Sequence, residues 1–237
     1  MSSLAISVDT FLKHNKCSML IYRLFKTSPK QYPRDFEVKY NNEFTRFDLI
    51  NHLIEKNSYS SYLEIGVSIA DKCFNKIDIE TKVGVDPDPT AKATYVKTSD
   101  DFFSDNDEKF DLIFIDGLHH YEQVEKDIIN SLDALNPKGY IICHDMNPAK
   151  DSHQVVPRLN GQSIWNGDCW KAWVALRRKR SDINMCVINA DHGLGVITKG
   201  QQEKIKSPSK VPWPVFTKYR KYLLNLVSVD DFFRTLN

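Results

Sequence analysis

The chain is poor in glycine, with 9 in 237 residues, and none of them forms a Gly-x-Gly-x-x-Gly run. The full fingerprint of a nicotinamide-binding turn is therefore missing. Its 5 cysteines (Cys17, Cys73, Cys143, Cys169 and Cys186) lie far apart, which excludes paired zinc-ligand spacing and a disulfide scaffold and suits a reducing cytoplasm. Neither sign of charge dominates. Lys+Arg 32 against Asp+Glu 31 leaves +1, so no global field draws the chain to nucleic acid or an anionic membrane, and a small-molecule partner is expected. Long hydrophobic runs are absent too. The opening "MSSLAISVDTFLKHNKCSML" is interrupted by Asp9, Lys13, His14 and Lys16, unlike a signal peptide or membrane span. No repeat or low-complexity tract occurs, and the length suits one domain with extensions.

What is present is an alternation of strand-length apolar runs with helical patterns. "SYLEIG" (61–66), "KVGVD" (82–86), "TYVKTS" (94–99), "FDLIFID" (110–116) and "GYIICHD" (139–145) read as strands buried on both faces, hence parallel. Tyr121, Val124, Ile128, Ile129, Leu132 and Leu135 recur at helical spacing, and "NPKG" (136–139) ends that helix, completing a β-α-β unit. "DCWKAWVALRRKR" reads as a further helix with basic residues in its last turns. "NMCVINADHGLGVITKG" reads as two strands joined by a short "DHG" turn, close enough only for an antiparallel hairpin. The order predicts an open α/β sheet with a reversed final strand. Residues 1–58 form a helical extension, with patterns near 4–26 and 45–57. Residues 59–200 form the core, and 201–237 a proline-containing linker with C-terminal helices. The terminal helices are expected to serve as a lid or a homodimer contact.

Ligands of open parallel sheets bind beyond the carboxyl ends of the strands, so functional residues belong where each run stops. Glu64 and Gly66, Asp86, Ser99 and Asp100, Asp116 and Asp145 occupy those ends. One such acid is as often a helix cap as a ligand; five ends in a row point to a site. Gly66 lets backbone approach a ligand, and Ser68 with Asp71 are placed to cap a following helix. Asp86, twenty residues past Gly66, suits the two hydroxyls of a ribose, and Ser99 with Asp100 suit an adenine edge.

"YLEIGV", "VGVDPDP", "TSDDFF", "FDLIFIDGLHHYEQVEKDI" and "GYIICHD" resemble the successive motifs of class I S-adenosylmethionine-dependent methyltransferases. The branch they are most similar to is the small O-methyltransferases with an Asp-Gly-x-His element, many of them associated with glycan or natural-product assembly. The resemblance spans roughly residues 60–200 and implies a Rossmann-like, mostly parallel seven-stranded sheet with an antiparallel last strand and helices on both faces. It places Glu64 and Gly66 near the cofactor's amino-acid end, Asp86 at the ribose, and Ser99 with Asp100 at the adenine. Ala70 stands where another loop glycine is expected.

Neighbouring strands lie about 4.8 Å apart, so Asp116 and Asp145 are expected to reach one divalent cation, as an all-oxygen Mg²⁺ site. Relatives with this layout use such an ion to lower the pKa of the acceptor oxygen. They often place an Asn or Asp directly after the second carboxylate, where this chain has Met146; Asn147, one step on, is the candidate third ligand. His119 sits where the relatives carry their general base, with His120 and His144 as competitors. The segment "W-x-G-D-x-W-K-A" (165–172) resembles one in the glycan-associated relatives. Trp165, Trp170 and Trp173 suit the core or the floor of a sugar cleft, and Lys171, Arg177, Arg178 and Arg180 a solvated helix face. The expected function is O-methyl transfer to a sugar hydroxyl of a glycan precursor or another small molecule. The alternatives are an NAD-dependent oxidoreductase and a catalytically silent binding module of the same fold.

Overall fold

The computed structural model describes residues 38, 40, 41 and 43–236, so the helix expected near 4–26 lies outside the described residues. Helix α1 (Arg46–Asn57) is followed by β1 (Ser61–Ile65), β2 (Thr81–Val85), α2 (Ser99–Asp105), β3 (Phe110–Ile115), α3 (Tyr121–Ala134) and β4 (Leu135–Cys143). Then come α4 (Cys169–Lys179), β5 (Ile183–Ile188), β6 (Leu194–Lys199), α5 (Trp213–Leu224), β7 (Leu226–Val227) and α6 (Val229–Thr235). They build one 7-stranded sheet of order β2-β1-β3-β4-β6-β5-β7. Only β6 runs against its neighbours β4 and β5; all other pairings are parallel.

Strands buried on both faces need a core on each side, and β3 shows both. Ile113 and Ile115 face a cluster with Val124, Ile128, Trp170, Trp173 and Phe216 from α3, α4 and α5. Leu112 and Phe114, one step out of phase, face Leu49, Ile50 and Leu53 of α1 and Phe232 of α6. The helices thus cover both faces of the sheet. Trp170 and Trp173 are core residues, as their helical spacing allowed.

Three local expectations are corrected. "TYVKTS" contributes no strand, only a single parallel bridge from Tyr95 to Val85. It lies at the sheet edge with Val96 54% exposed, and Thr98 caps α2 by accepting the Asp101 N–H, so helix begins where strand was expected. The seventh strand is instead β7, beside β5. After Gly66, Ser68 and Asp71 cap no α-helix: the chain makes two short 3₁₀ turns, Ala70–Lys72 and Phe74–Lys76, broken at Cys73 (φ −140°, ψ −64°). "NPKG" lies inside β4 as an irregularity, with Lys138 at φ 65° and a register shift opposite Phe110 and Leu112.

Trp173 is fully buried and donates its Nε1–H to the Leu224 carbonyl (3.1 Å), fixing α4 to the end of α5. Trp173→Ala is expected to lower the unfolding free energy by about 3–5 kcal/mol, seen as a fall in the urea midpoint.

Candidate active site

The parallel ladder brings the strand ends together. Gly66 N–H donates to Val85 O (2.8 Å), Asp116 N–H to Ile65 O (2.8 Å) and His144 N–H to Ile115 O (3.0 Å). At Gly66 (φ 89°) a Cβ would come within 2.4 Å of the Gly117 Cα, so only glycine lets the exits of β1 and β3 touch.

Two cavities open over these ends. One, of about 430 Å³, is lined by Asp86, Ser99, Asp100 and Gln123; the other, of about 600 Å³, by Arg46, Glu64, His119, His144, Asp145 and Trp165. Gly66, Ser68, Asp116, Gly117 and Leu118 line both, so the two are lobes of one cleft. Every strand-end residue named from the sequence borders it. Asn147 and His120 do not.

In the smaller lobe the Asp86 carboxylate accepts the Ser68 N–H through Oδ2 and the Asp88 N–H through Oδ1, each at 2.8 Å. The backbone fixes its orientation and leaves further lone pairs for hydroxyl donors. Ser99 and Asp100 lie on the first turn of α2. The Gln123 amide on α3 donates to Ser99 Oγ (3.2 Å), Asp100 Oδ1 (2.8 Å) and Asp127 Oδ1 (3.0 Å), tying the two helices across the lobe.

In the larger lobe Asp116 is the centre. Its Oδ2 pairs with Arg46 Nη1 at 2.6 Å, and its Oδ1 lies 3.1 Å from His144 Nδ1 and 3.3 Å from His119 Nε2. Burial opposes ionisation of Asp116, but His144, His119 and Arg46 outweigh it and hold the carboxyl far below its ordinary range. Burial likewise disfavours protonated His119, yet the Asp116 hydrogen bond and the Asp145 and Asp116 charges raise its pKa. His144 follows the same balance, its burial penalty exceeded by Asp145 and Asp116. His144 Nε2 lies 3.3 Å from Asp191 Oδ1, and Arg46 grips Asp191 through Nε (2.8 Å), Nη2 (3.0 Å) and its backbone N–H (2.9 Å).

Segment 165–168 now has a role. Trp165 stacks on His119 with centroids 5.0 Å apart and planes at 18°. Asn166 donates to Asp145 Oδ1 (2.6 Å), and Asp168 donates its N–H to the His119 carbonyl (3.2 Å) and accepts the Tyr121 N–H (2.8 Å). A Cβ on Gly167 would lie 2.0 Å from the His119 carbonyl oxygen, so glycine is needed for this approach. Lys171 pairs with Asp168 at 2.8 Å.

The metal expectation at Asn147 is corrected. Its side chain accepts Arg220 Nη1–H (2.6 Å) and donates to Asn189 Oδ1 (3.0 Å), fully buried and committed elsewhere. The group that joins Asp116 and Asp145 is His144, with ligand atoms of all three within 4.8 Å of one another. The third donor is thus an imidazole nitrogen, which does not fit the all-oxygen set expected for Mg²⁺. Arg46 and Asp191 escaped sequence reading altogether: they meet across 145 residues, and the only local hint was a turn, "DHG".

Residues 81–146 match a family described as "Methyltransferase domain". The fold is shared with the S-adenosylhomocysteine-bound methyltransferase PaMTH1 of Podospora anserina (TM-score 0.51, 14% identity, 84% of this chain and 97% of that one). An O-methyltransferase from Bacillus cereus in complex with S-adenosylhomocysteine aligns with TM-score 0.47 at 16% identity, over 81% of this chain and 95% of that one. A curated relative, "Uncharacterized protein y4gI" of Sinorhizobium fredii, is 24% identical over 133 residues, 52% of this chain; the match spans 12% of that relative's length. Fold and match together mark residues 81–146 as part of a methyltransferase domain. Among the described residues no helix is long and apolar enough to cross a membrane.

Glu64 supplies a pH test. It is 1% exposed, its Oε2 accepts the Tyr62 hydroxyl (2.5 Å), and its Oε1 has no partner. Burial is the largest influence and lifts its pKa from 4.5 to about 7, against the lowering Tyr62 bond. The folded chain therefore keeps a proton that the unfolded chain loses, and stability falls as pH rises from 4.5 to about 7. Glu64→Gln should flatten that slope, gaining up to about 3 kcal/mol over the native chain above the folded pKa; urea midpoints at acid and alkaline pH measure it.

Proposed function

We propose that this chain is an S-adenosylmethionine-dependent O-methyltransferase acting on a sugar hydroxyl of a glycan precursor or a similar small acceptor. The observation that carries the reading is the single two-lobed cleft: Asp86 and the α2 turn at one end, a histidine-carboxylate cluster at the other, and Gly66, Asp116 and Gly117 at the junction. The smaller lobe takes the adenosine, with Asp86 on the ribose hydroxyls and Ser99 and Asp100 at the adenine. Glu64 and Gly66 receive the amino-acid end, where the unpartnered Glu64 Oε1 suits a ligand ammonium. The methyl group then points into the larger lobe.

The acceptor oxygen attacks the sulfonium methyl carbon in line. The C–O bond forms as the C–S bond breaks, its electron pair returning to sulfur, and the hydroxyl proton passes to His119. Asp116 holds His119 Nε2. His119 Nδ1 lies 3.3 Å from Asp145 Oδ2 without a hydrogen bond, and Trp165 fixes the ring plane. Positioning of the two reactants supplies most of the rate. The flat Trp165 face and the polar carboxylate cluster together suit a sugar, whose rings carry apolar faces and hydroxyl edges. Mg²⁺ enters no step, because its expected third ligand is occupied. The glycine-poor turn and the methyltransferase match weigh against nicotinamide chemistry.

Calorimetry should show S-adenosylhomocysteine binding at micromolar concentration. Asp86→Ala should weaken it at least tenfold, while His119→Ala should leave it intact and lower methyl transfer from labelled cofactor to a cellular oligosaccharide fraction by about 10²–10⁴-fold. Absence of cofactor binding to the native chain would overturn the reading.

A further inference from the structure

We propose that the groove between α3, α4 and the segment leading into α5 binds an organic phosphate ester, its phosphoryl group met by Lys171, Arg178 and Lys210 and its apolar or flat body by Tyr121, Val174 and Val211. The groove shares no lining residue with either lobe of the cleft. It therefore goes beyond the methyltransferase reading, which bears only on what the ligand is for: sugars activated for transfer are commonly such esters.

Helix α4 presents Lys171, Val174, Ala175 and Arg178 at i, i+3, i+4 and i+7, one stripe of the helix about 10 Å long. Lys210 and Val211, set between Pro208 and Pro212, line the groove from the segment before α5, and Tyr121 comes from the first turn of α3. The volume is about 530 Å³, that of a small-molecule site. Its walls are held from behind. Trp170 is buried, stacks on Phe216 of α5 with centroids 4.0 Å apart and donates its Nε1–H to Gln154 Oε1 (2.8 Å). Ile205 N–H donates to the Arg177 carbonyl (3.1 Å) and Lys206 N–H to the Tyr222 hydroxyl (3.1 Å), so the segment reaches the groove already tied to α4 and α5. A groove built in advance spares a ligand the cost of ordering it.

Charge selects the ligand. A chain with a net charge of only +1 gathers three cations around this groove, and among the described residues no carboxylate lines it. The nearby acids are engaged. Asp168 pairs with Lys171 at 2.8 Å, leaving the lysine side chain 43% exposed, and its other oxygen accepts the Tyr121 N–H (2.8 Å). Glu125 pairs with Lys179 at 2.5 Å, and Glu122 lies against the Tyr121 hydroxyl. Among the described residues Arg178 and Lys210 have no ion pair. Three cations against Asp168 leave two positive charges, which a phosphate ester matches and a single carboxylate does not. An arginine fork and two ammonium groups are also suited donors for phosphoryl oxygens. The floor sets the second requirement. Val174 is buried and Tyr121 and Val211 are half-buried, so apolar surface lies beside the cations. Inorganic phosphate leaves that surface wet, whereas the organic part of an ester covers it.

The test titrates the full chain calorimetrically with uridine diphosphate, geranyl diphosphate and inorganic pyrophosphate, each with and without saturating S-adenosylhomocysteine. At least one of the two esters should bind at micromolar concentration, about tenfold or more tighter than pyrophosphate, and S-adenosylhomocysteine should not displace it. Whichever ester binds tighter names the source, a nucleotide or a prenyl carrier. The double variant Arg178→Ala, Lys210→Ala, at two positions that are not buried, should weaken the ester about tenfold or more. Its thermal unfolding midpoint should stay that of the native chain, and added salt should weaken the native complex. S-adenosylhomocysteine titrated alone lets the cofactor reading fail separately. Four outcomes would overturn the proposal: neither ester binding below millimolar concentration, pyrophosphate binding as tightly as both, S-adenosylhomocysteine displacing the ester, or the folded double variant binding it as tightly as the native chain.

Discussion

A mostly buried carboxylate at the carboxyl end of a parallel strand must find positive partners, and Asp116 finds them on three different elements. Arg46 comes from the first turn of α1, His144 from the end of β4 and His119 from the loop before α3, all within 3.3 Å. Loss of one partner from such a cluster leaves a mostly buried charge uncompensated, which costs far more than an exposed ion pair contributes. The cluster therefore binds the pieces of the site to one another. Arg46 extends it by holding Asp191, so the turn between β5 and β6 and the helix before β1 are fixed in one step. An element that precedes the core in sequence is in this way part of the active cleft.

The second constraint is steric and lies in the four residues Trp165 to Asp168. Each meets a different part of the same target: a ring face on His119, an amide on Asp145, a bare Cα against the His119 carbonyl, and a carboxylate on the first N–H of α3. A hydrogen bond alone lets an imidazole rotate about its axis. The stacked indole removes that freedom, and Asp168, which accepts the first N–H of α3, fixes the loop carrying the ring. Preorganisation of this kind holds the His119 ring in one orientation, as the proposed role requires.

The parallel strands were legible because burial on both faces demands continuous apolar runs; β3, Tyr62–Ile65 of β1 and Ile141–Cys143 of β4 obey that demand, while the edge strand β2 is buried only at Gly84 and Val85. Their acidic ends were legible for the same reason, since parallel neighbours must stop side by side. Other features depended on information no local pattern holds. "TYVKTS" has strand composition, but at the sheet edge its exposed Val96 earns little from pairing, while Thr98 favours a helix cap. The choice between His144 and Asn147 turned on Asp145, whose left-handed backbone (φ 63°) redirects the chain and sends Asn147 towards Arg220. The Arg46–Asp191 pairing joins residues distant in sequence through packing of α1 against the sheet, and neither residue carries a motif.

The two lobes differ in the material they are made from. Asp86, Ser99, Asp100 and Gln123 come from a strand end and two helix starts, positions that any sheet of this order supplies. The larger lobe draws on α1, the β5–β6 turn and the long connection from β4 to α4. That connection also presents exposed apolar groups, Ile164 at 42% and Leu159 at 56%, beside Arg158, which lies 5.9 Å from the Trp165 ring. Loops carry selectivity because they can change without unravelling the scaffold. Here that freedom is bounded: the same connection ends in the residues that hold His119 and Asp145. Its last four residues, 165–168, are tied to His119, Asp145 and Tyr121 and have no such freedom.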